Sequence, residues 1–267
     1  MRNKIFATGK TGTIGKYFDK NVLDLKINLA GMSKSNYVFA LDQGDIVIHA
    51  AGIVGNTLIN ADPKRAYDIN VVGTKRLAEH ALKSNVTKFV YISSSHVYAH
   101  SDNKLDELSP TDPTTIYAEQ KLKSEEELLG IFRNDLSKLC IIRVFSVLDW
   151  DVKDFTLGGG IKKLTIPDSN YSLNNTLDVR DFLTPKQIAK AIVSISTHDQ
   201  LSGIVNLCSG IGIPIEVAAQ IMLSGRNFKL PEDRIERTNS QVPFLVGDNY
   251  RLISYLPNLD LVWKPSL

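Results

Sequence analysis

Apolar positions along the chain fall into two alternating textures. Short, nearly continuous apolar runs stand at residues 4–8, 45–50, 88–93, 139–144 and 204–207. Longer segments with apolar residues at helical spacing stand at 64–84, 116–132 and 184–197, the last with Pro185 in its first turn. Runs that do not alternate with polar residues are the mark of strands buried on both faces of a sheet. Near the start, the pattern predicts an amphipathic helix over 13–25 and a second strand over 26–32. Strands separated by helices form a parallel sheet covered on both sides, and right-handed crossovers make it doubly wound.

Past residue 147 the texture changes. Residues 148–178 hold Gly158-Gly159-Gly160, Pro167 and several Asn and Ser without a strong period, and the end of the chain is punctuated by prolines at 214, 231, 243, 257 and 265. This predicts a larger nucleotide-binding domain over 1–147, with 181–207 returning to it. Residues 148–180 and 208–267 form a small substrate-binding lobe over the carboxyl edge of the sheet. The net charge is +2 with acids and bases interspersed, so there is no basic stripe to bind nucleic acid. Cys140 and Cys208 lie in separate apolar runs, which reads as two buried thiols rather than a disulfide framework. No residue cluster suggests a metal site. No run approaches the ~20 apolar residues of a membrane span. Met1-Arg2-Asn3-Lys4 leads straight into a strand with no secretory apolar stretch, so the expected location is the cytoplasm.

Ala7-Thr8-Gly9-Lys10-Thr11-Gly12-Thr13-Ile14-Gly15 follows the first strand and opens the predicted helix. In a G-x-x-G-x-x-G turn the first glycine permits the bend and the second lets backbone approach a pyrophosphate. The third lets helix and sheet pack closely, while free amides at the helix start favour an anion. Gly9, Thr11, Gly12, Thr13 and Ile14 are therefore the candidate contacts to a dinucleotide, and the sheet is of Rossmann type. Gly9-Lys10-Thr11 mimics the end of a nucleotide-triphosphate loop, but the place of that motif's first glycine is Lys4, inside the strand. An acid at the end of the second strand would bind a ribose diol. None occurs between Lys26 and Tyr37, where Ser33-Lys34-Ser35 suits a 2′-phosphate. Ser33 and Lys34 are thus candidate cofactor contacts, favouring NADP over the alternative, NAD.

Ser93-Ser94-Ser95 ends a strand at the edge where ligands bind in an open α/β sheet. Tyr117 and Lys121 stand at i and i+4 of the next helix, on one face. A lysine cation favours tyrosinate, so the pair can pass a proton to or from a carbonyl or alcohol oxygen that a serine hydroxyl also holds.

The order of these features resembles the extended short-chain dehydrogenase/reductases, in the nucleotide-sugar epimerase, dehydratase and reductase branch. Further landmarks are His49-Ala50-Ala51-Gly52, Asn70 in Ile69-Asn70-Val71-Val72-Gly73-Thr74, and Ser93-Ser94-Ser95-His96-Val97-Tyr98. Arg143-Val144-Phe145-Ser146, Arg180-Asp181-Phe182-Leu183, Asn206-Leu207-Cys208-Ser209-Gly210 and Trp263-Lys264-Pro265 complete the set. The resemblance implies a catalytic trio of Ser94, Tyr117 and Lys121. It implies a cofactor lined by Ala50, Ala51, Gly52 and Asn70 as well as by Tyr117 and Lys121, and a substrate diphosphate gripped by Arg180. It also implies a homodimer paired through the helices at 64–84 and 116–132. Ser95 and His96 stand where similar 4,6-dehydratases carry Asp-Glu, so the pair for water elimination is missing. They become substrate-facing candidates, with His96 where fucose-synthase-like relatives place a cysteine acid. These features point to a 4-ketoreductase of a nucleotide-linked 4-keto-6-deoxyhexose. A 4-epimerase with tightly held NAD is the alternative, and a non-catalytic NAD(P)-binding regulator the alternative of another class.

Overall fold

A computed structural model describes residues 4–27, 29 and 40–266. Its centre is a six-stranded sheet in the order β2-β1-β3-β4-β5-β8, parallel throughout. The strands are β1 (Ile5–Thr8), β2 (Val22–Asp24), β3 (Ile46–His49), β4 (Lys88–Ser94), β5 (Leu139–Val144) and β8 (Gly203–Leu207). Because successive strand residues point to opposite faces, each apolar run feeds two cores. Ile48, Val90, Ile92, Cys140 and Ile142 pack on one side with Ile188, Ala189, Ile192 and Ile195 of α6 (Pro185–Ser196). Val47, Phe89, Tyr91, Leu139 and Ile141 pack on the other. They meet Leu77, Ala78 and Ala81 of α3 (Thr74–Lys83) and Leu128 of α4 (Ile116–Ile131).

The helix expected over 64–84 begins as α2 (Pro63–Tyr67), capped by Asp62, and continues into α3 through a wider turn of π type at Asp68–Gly73. Asn56–Ala61 forms the short α1 before it. The helix expected over 13–25 is absent. Its place holds one 3-10 turn, Gly15–Tyr17, and then β2. Ile14, Tyr17 and Phe18 have helical spacing for one turn only. Asp19-Lys20-Asn21 then bends the chain, with the Val22 amide donating to Asp19 O, and Val22 enters the sheet instead of a helix face. The second strand therefore runs over 22–24, not 26–32. Residues 28 and 30–32 of that expected strand lie outside the described residues.

A second sheet joins β10 (Phe244–Leu245), β7 (Val179–Leu183) and β6 (Ser146–Val147), with β9 (Gly212–Pro214) antiparallel on β7. Residues 181–183 thus pair within this sheet, not with the six strands. Beside it lie α5 (Leu157–Lys163) and α7 (Ile215–Ser224), whereas α8 (Tyr250–Tyr255) packs on β8 of the six-stranded sheet, with Leu252 in that sheet's core and Arg251 donating to Ser202 O at 2.7 Å. Leu148, Ile161, Leu164, Phe182, Met222 and Trp263 form a separate core beside the second sheet, with Trp263 Nε1 donating to Leu148 O at 2.9 Å. Both cysteines are buried and free. Among the described residues, no helix is long and apolar enough to cross a membrane.

Candidate active site

The site lies at the carboxyl ends of β1, β3 and β4. The turn after β1 closes on itself, with Gly12 N donating to Gly9 O at 2.9 Å. Gly9 has φ +76°, a conformation that favours glycine, and a Cβ there would stand 2.7 Å from Ala51 N. A Cβ on Gly15 would stand 2.1 Å from Gly9 O. These two positions are glycine because the turn is pressed between the β3 loop and its own next turn. Thr11, Gly12, Thr13 and Ile14 remain at least partly accessible. No carbonyl of the described backbone accepts from the amides of Thr11, Thr13 or Ile14, so the turn fits a dinucleotide's pyrophosphate. It does so through loop amides alone, since a single 3-10 turn supplies little of the dipole a full helix would.

The loop at Ala50–Gly52 is held beside this turn by a run of buried hydrogen bonds. Ala51 N donates to Thr8 Oγ1 at 3.1 Å, and Thr8 Oγ1 meets His49 Nδ1 at 2.7 Å. His49 Nε2 meets Thr74 Oγ1 at 2.8 Å, and that hydroxyl donates to Asn70 O at 2.6 Å. Since Thr74 spends its hydrogen on Asn70, His49 must donate from Nε2 and accept at Nδ1, in the neutral form. Burial, and secondarily the Lys121 charge, pull its pKa down to about 3. Asn70 Oδ1 accepts from Ile53 N at 2.8 Å, while Nδ2 donates to Ile53 O at 3.0 Å and Gln120 Oε1 at 2.9 Å. Its amide is shared between Ile53 and Gln120 of α4, tying the loop after β3 to that helix.

The end of β4 and the first turns of α4 bring the expected trio together. Thr115 caps α4 by accepting from Ala118 N, which fixes where Tyr117 and Lys121 emerge. The Ser94 hydroxyl is near enough to the Tyr117 phenol to influence its charge. Burial dominates the phenol and pushes its pKa up to about 12, with the nearby Ser94 hydroxyl acting in the opposite direction. Lys121 Nζ donates to Ile92 O at 2.7 Å and lies 6.0 Å from the Tyr117 ring centroid. Burial lowers its pKa to about 8 against the opposing pull of Glu125. One turn further along the same face, Glu125 makes a buried pair with Arg143 of β5, with Nη2 to Oε2 at 2.7 Å and Nε to both oxygens at 3.2 Å. Ser93 donates to the same carboxylate.

Ser95 is buried and its hydroxyl has no partner among the described residues. His96 N donates to Ser94 Oγ at 3.3 Å. The His96 side chain is solvent-exposed yet walled by protein, as on the side of a cleft. That surrounding protein, then the charge of Arg180, disfavour its protonated form. Arg180 is tethered by Asp178 Oδ2 at 2.7 Å and Ser240 Oγ at 3.3 Å. Asp181 beside it accepts from Ser209 N, Ser209 Oγ and Gly210 N at 2.7–2.8 Å, fixing the loop next to Arg180.

Ser33 and Lys34 lie outside the described residues. Their fit to a 2′-phosphate presupposes a second strand that ends without an acid. With β2 at 22–24, that strand ends on Asp24, exposed and in register with Ala7 of β1. Asp24, Tyr91 and Glu125 stand at or beside the candidate site and were not among the residues the sequence pointed to. Glu125 carried a visible signal, four residues after Lys121 on the same helical face.

A family model for the NAD dependent epimerase/dehydratase family matches residues 25–208. A GDP-6-deoxy-D-talose 4-dehydrogenase from Aggregatibacter actinomycetemcomitans is 22% identical over 96% of this chain and 92% of its own length. The structure of RMD from Pseudomonas aeruginosa complexed with NADPH superposes with a TM-score of 0.79 at 21% identity, over 99% of this chain and 94% of that one. MoeE5 in complex with UDP-glucose and NAD superposes with a TM-score of 0.77 at 16% identity, over 99% and 95%. The family match spans well over half of the sequence and includes β4, Tyr117 and Lys121. The chain belongs to the NAD-dependent epimerase/dehydratase family and is an NAD(P)-dependent enzyme of the short-chain dehydrogenase type.

Proposed function

We propose that the enzyme reduces the 4-keto group of a nucleotide-linked 6-deoxyhexose, with Tyr117 as proton donor. The observation that carries this reading is the gathering of Ser94, Tyr117 and Lys121 at the end of β4, with the Lys121 ammonium 6.0 Å from the Tyr117 ring and a phenol whose pKa is about 12. Such a phenol holds its proton at neutral pH, which is the form a carbonyl reduction needs. When bound, the nicotinamide supplies the hydride. Ser94 holds the substrate oxygen and Tyr117 releases its proton to it. Lys121 stabilises the resulting phenolate by charge. Arg180, tethered but with further donors in its fork, suits a diphosphate. The missing carboxylates at Ser95 and His96 count against dehydration, and the likeness to a GDP-sugar 4-dehydrogenase supports redox chemistry at that carbon.

The second reading is a 4-epimerase that retains NAD, and Asp24 favours it by its fit to a ribose diol. Cofactor that remains bound through purification supports epimerisation, and cofactor that washes away supports reduction. A homodimer through α3 and α4 belongs to either reading. The groove between those helices is lined by Lys75, Glu79, Lys123 and Glu126, and a purely monomeric light-scattering profile at micromolar concentration would remove the dimer.

The test is consumption of reduced cofactor with a panel of nucleoside-diphosphate 4-keto-6-deoxyhexoses. Tyr117→Phe is expected to keep cofactor affinity and to lower turnover by about 10²-fold or more, at the low end of general-acid effects. Near-normal turnover in that variant removes the mechanism.

A further inference from the structure

We propose that Tyr91 is a positioning residue: the face of its ring is the seat that holds the Lys121 ammonium at the carboxyl end of β4. Lys121 Nζ lies 4.7 Å from the Tyr91 ring centroid, closer than to the ring of Tyr117. Its hydrogen bond to Ile92 O fixes one direction, and the ring face fixes a second. The ammonium is buried, and among the described residues no carboxylate pairs with it. Glu125, on the same helix, has its charge committed to Arg143 and also accepts from Ser93. His49, facing from β3, is neutral and cannot offset the charge.

Tyr91 is itself immobile. It is 1% exposed, sits in register between His49 of β3 and Ile141 of β5, and packs on the His49 ring at 5.8 Å. Burial pushes its phenol pKa up, so the group remains neutral and offers a quadrupole rather than a charge. Desolvation works against the Lys121 cation, and an aromatic face contributes most to a cation that water does not reach. The inference rests on Tyr117 and Lys121 being the proton-handling pair, but the geometry does not require a particular substrate.

The test uses the cofactor-free protein with ¹³Cε-labelled lysine, observed by NMR, with the Lys121 signal assigned by its loss in Lys121→Met. In the wild type, the Lys121 ε-protons should be shifted upfield by the Tyr91 ring and titrate near pH 8. Tyr91→Phe should preserve both properties. Tyr91→Met fills the space without a ring face, and should abolish the upfield shift and lower the midpoint by about 0.4–1.5 pH units. A midpoint that stays or rises in Tyr91→Met overturns the proposal. So does a wild-type signal without a ring shift, which decides the matter even if the Met variant does not fold. Inactivity toward every nucleotide-sugar would overturn the proposed reaction and leave these spectra unchanged.

Discussion

Between β1 and β2 the chain makes a glycine turn, one 3-10 turn and a three-residue strand. Between β4 and β5 it makes a sixteen-residue helix whose buried face carries Gln120, Lys121, Ser124 and Glu125. The first region carries the proposed nucleotide contacts, the second the proposed proton-handling pair. The difference follows from what each must hold. Backbone amides and an exposed carboxylate can meet a solvated diphosphate and ribose without further support. Buried charges cannot stand alone, because leaving water costs several kcal/mol per ion unless partners replace it. The catalytic side therefore requires a longer, regular scaffold to aim Glu125 at Arg143 and Ser93.

The largest expected effect tests that scaffold directly. Glu125→Leu leaves Arg143 buried without its partner and should cost about 3–5 kcal/mol of unfolding free energy in a urea titration. The matched change on the other side is Lys16→Ala. It removes the exposed contact to Asp151 at 2.7 Å and should cost no more than about 1 kcal/mol. Similar losses for the two variants would erase the distinction between the regions.

His49 joins the two sides, through Thr8 on one and Thr74 on the other. Its pKa is about 3 in the folded protein, below the ordinary 6.5. As pH falls below 6.5 the unfolded chain takes up the proton first, so the folded state loses stability progressively toward pH 3. Between pH 7 and 4.5 the loss from this group should be about 2–3 kcal/mol. His49→Phe should be less stable at pH 7 but show a flatter acid limb. An acid limb as steep as the wild type's would mean that His49 is not the group being titrated.

The same division governed what the sequence made legible. β4 and β5 are unbroken apolar runs and α4 is a sixteen-residue helix capped by Thr115, and all three stand within a residue or so of where the pattern placed them. The serine-ended strand and the Tyr-x-x-x-Lys spacing could therefore be read together, and the structure brings Ser94, Tyr117 and Lys121 together at the carboxyl end of β4. Around β2 the signals conflict. Phe18 and Val22 are four apart and both buried, which looks helical, yet they face the core from a turn and a strand. That error displaced the second strand and hid Asp24. In the smaller sheet's surroundings, α5 was missed because Gly158-Gly159-Gly160 reads as a breaker. A Cβ on Gly158 would stand 2.4 Å from Asp149 O, so close packing, which no local pattern reports, sets that residue.

The smallest expected effect sharpens the nucleotide side. Asp24 is exposed at the end of β2, where a carboxylate accepts hydrogen bonds from a ribose diol and repels a 2′-phosphate. Exposed charge pairs contribute about 0.2–1 kcal/mol, and hydrogen bonds to a charged group about 1.5–3 kcal/mol. At about 1.4 kcal/mol per tenfold change, the wild type should bind NADH roughly tenfold more tightly than NADPH. Asp24→Asn should erase or reverse that preference, mainly by improving NADPH. Lys10 is the cation to watch. Its ammonium donates to Val22 O, on the same short strand, and released from that carbonyl it could offset the Asp24 charge. Fluorescence titration of both cofactors against wild type, Asp24→Asn and Lys10→Ala separates the two. If Lys10→Ala weakens NADPH alone, the lysine and not the acid sets the choice. If the wild type prefers NADPH and Asp24→Asn changes neither affinity, the carboxylate does not meet the ribose. The pared-down region would then bind its nucleotide by loop amides only.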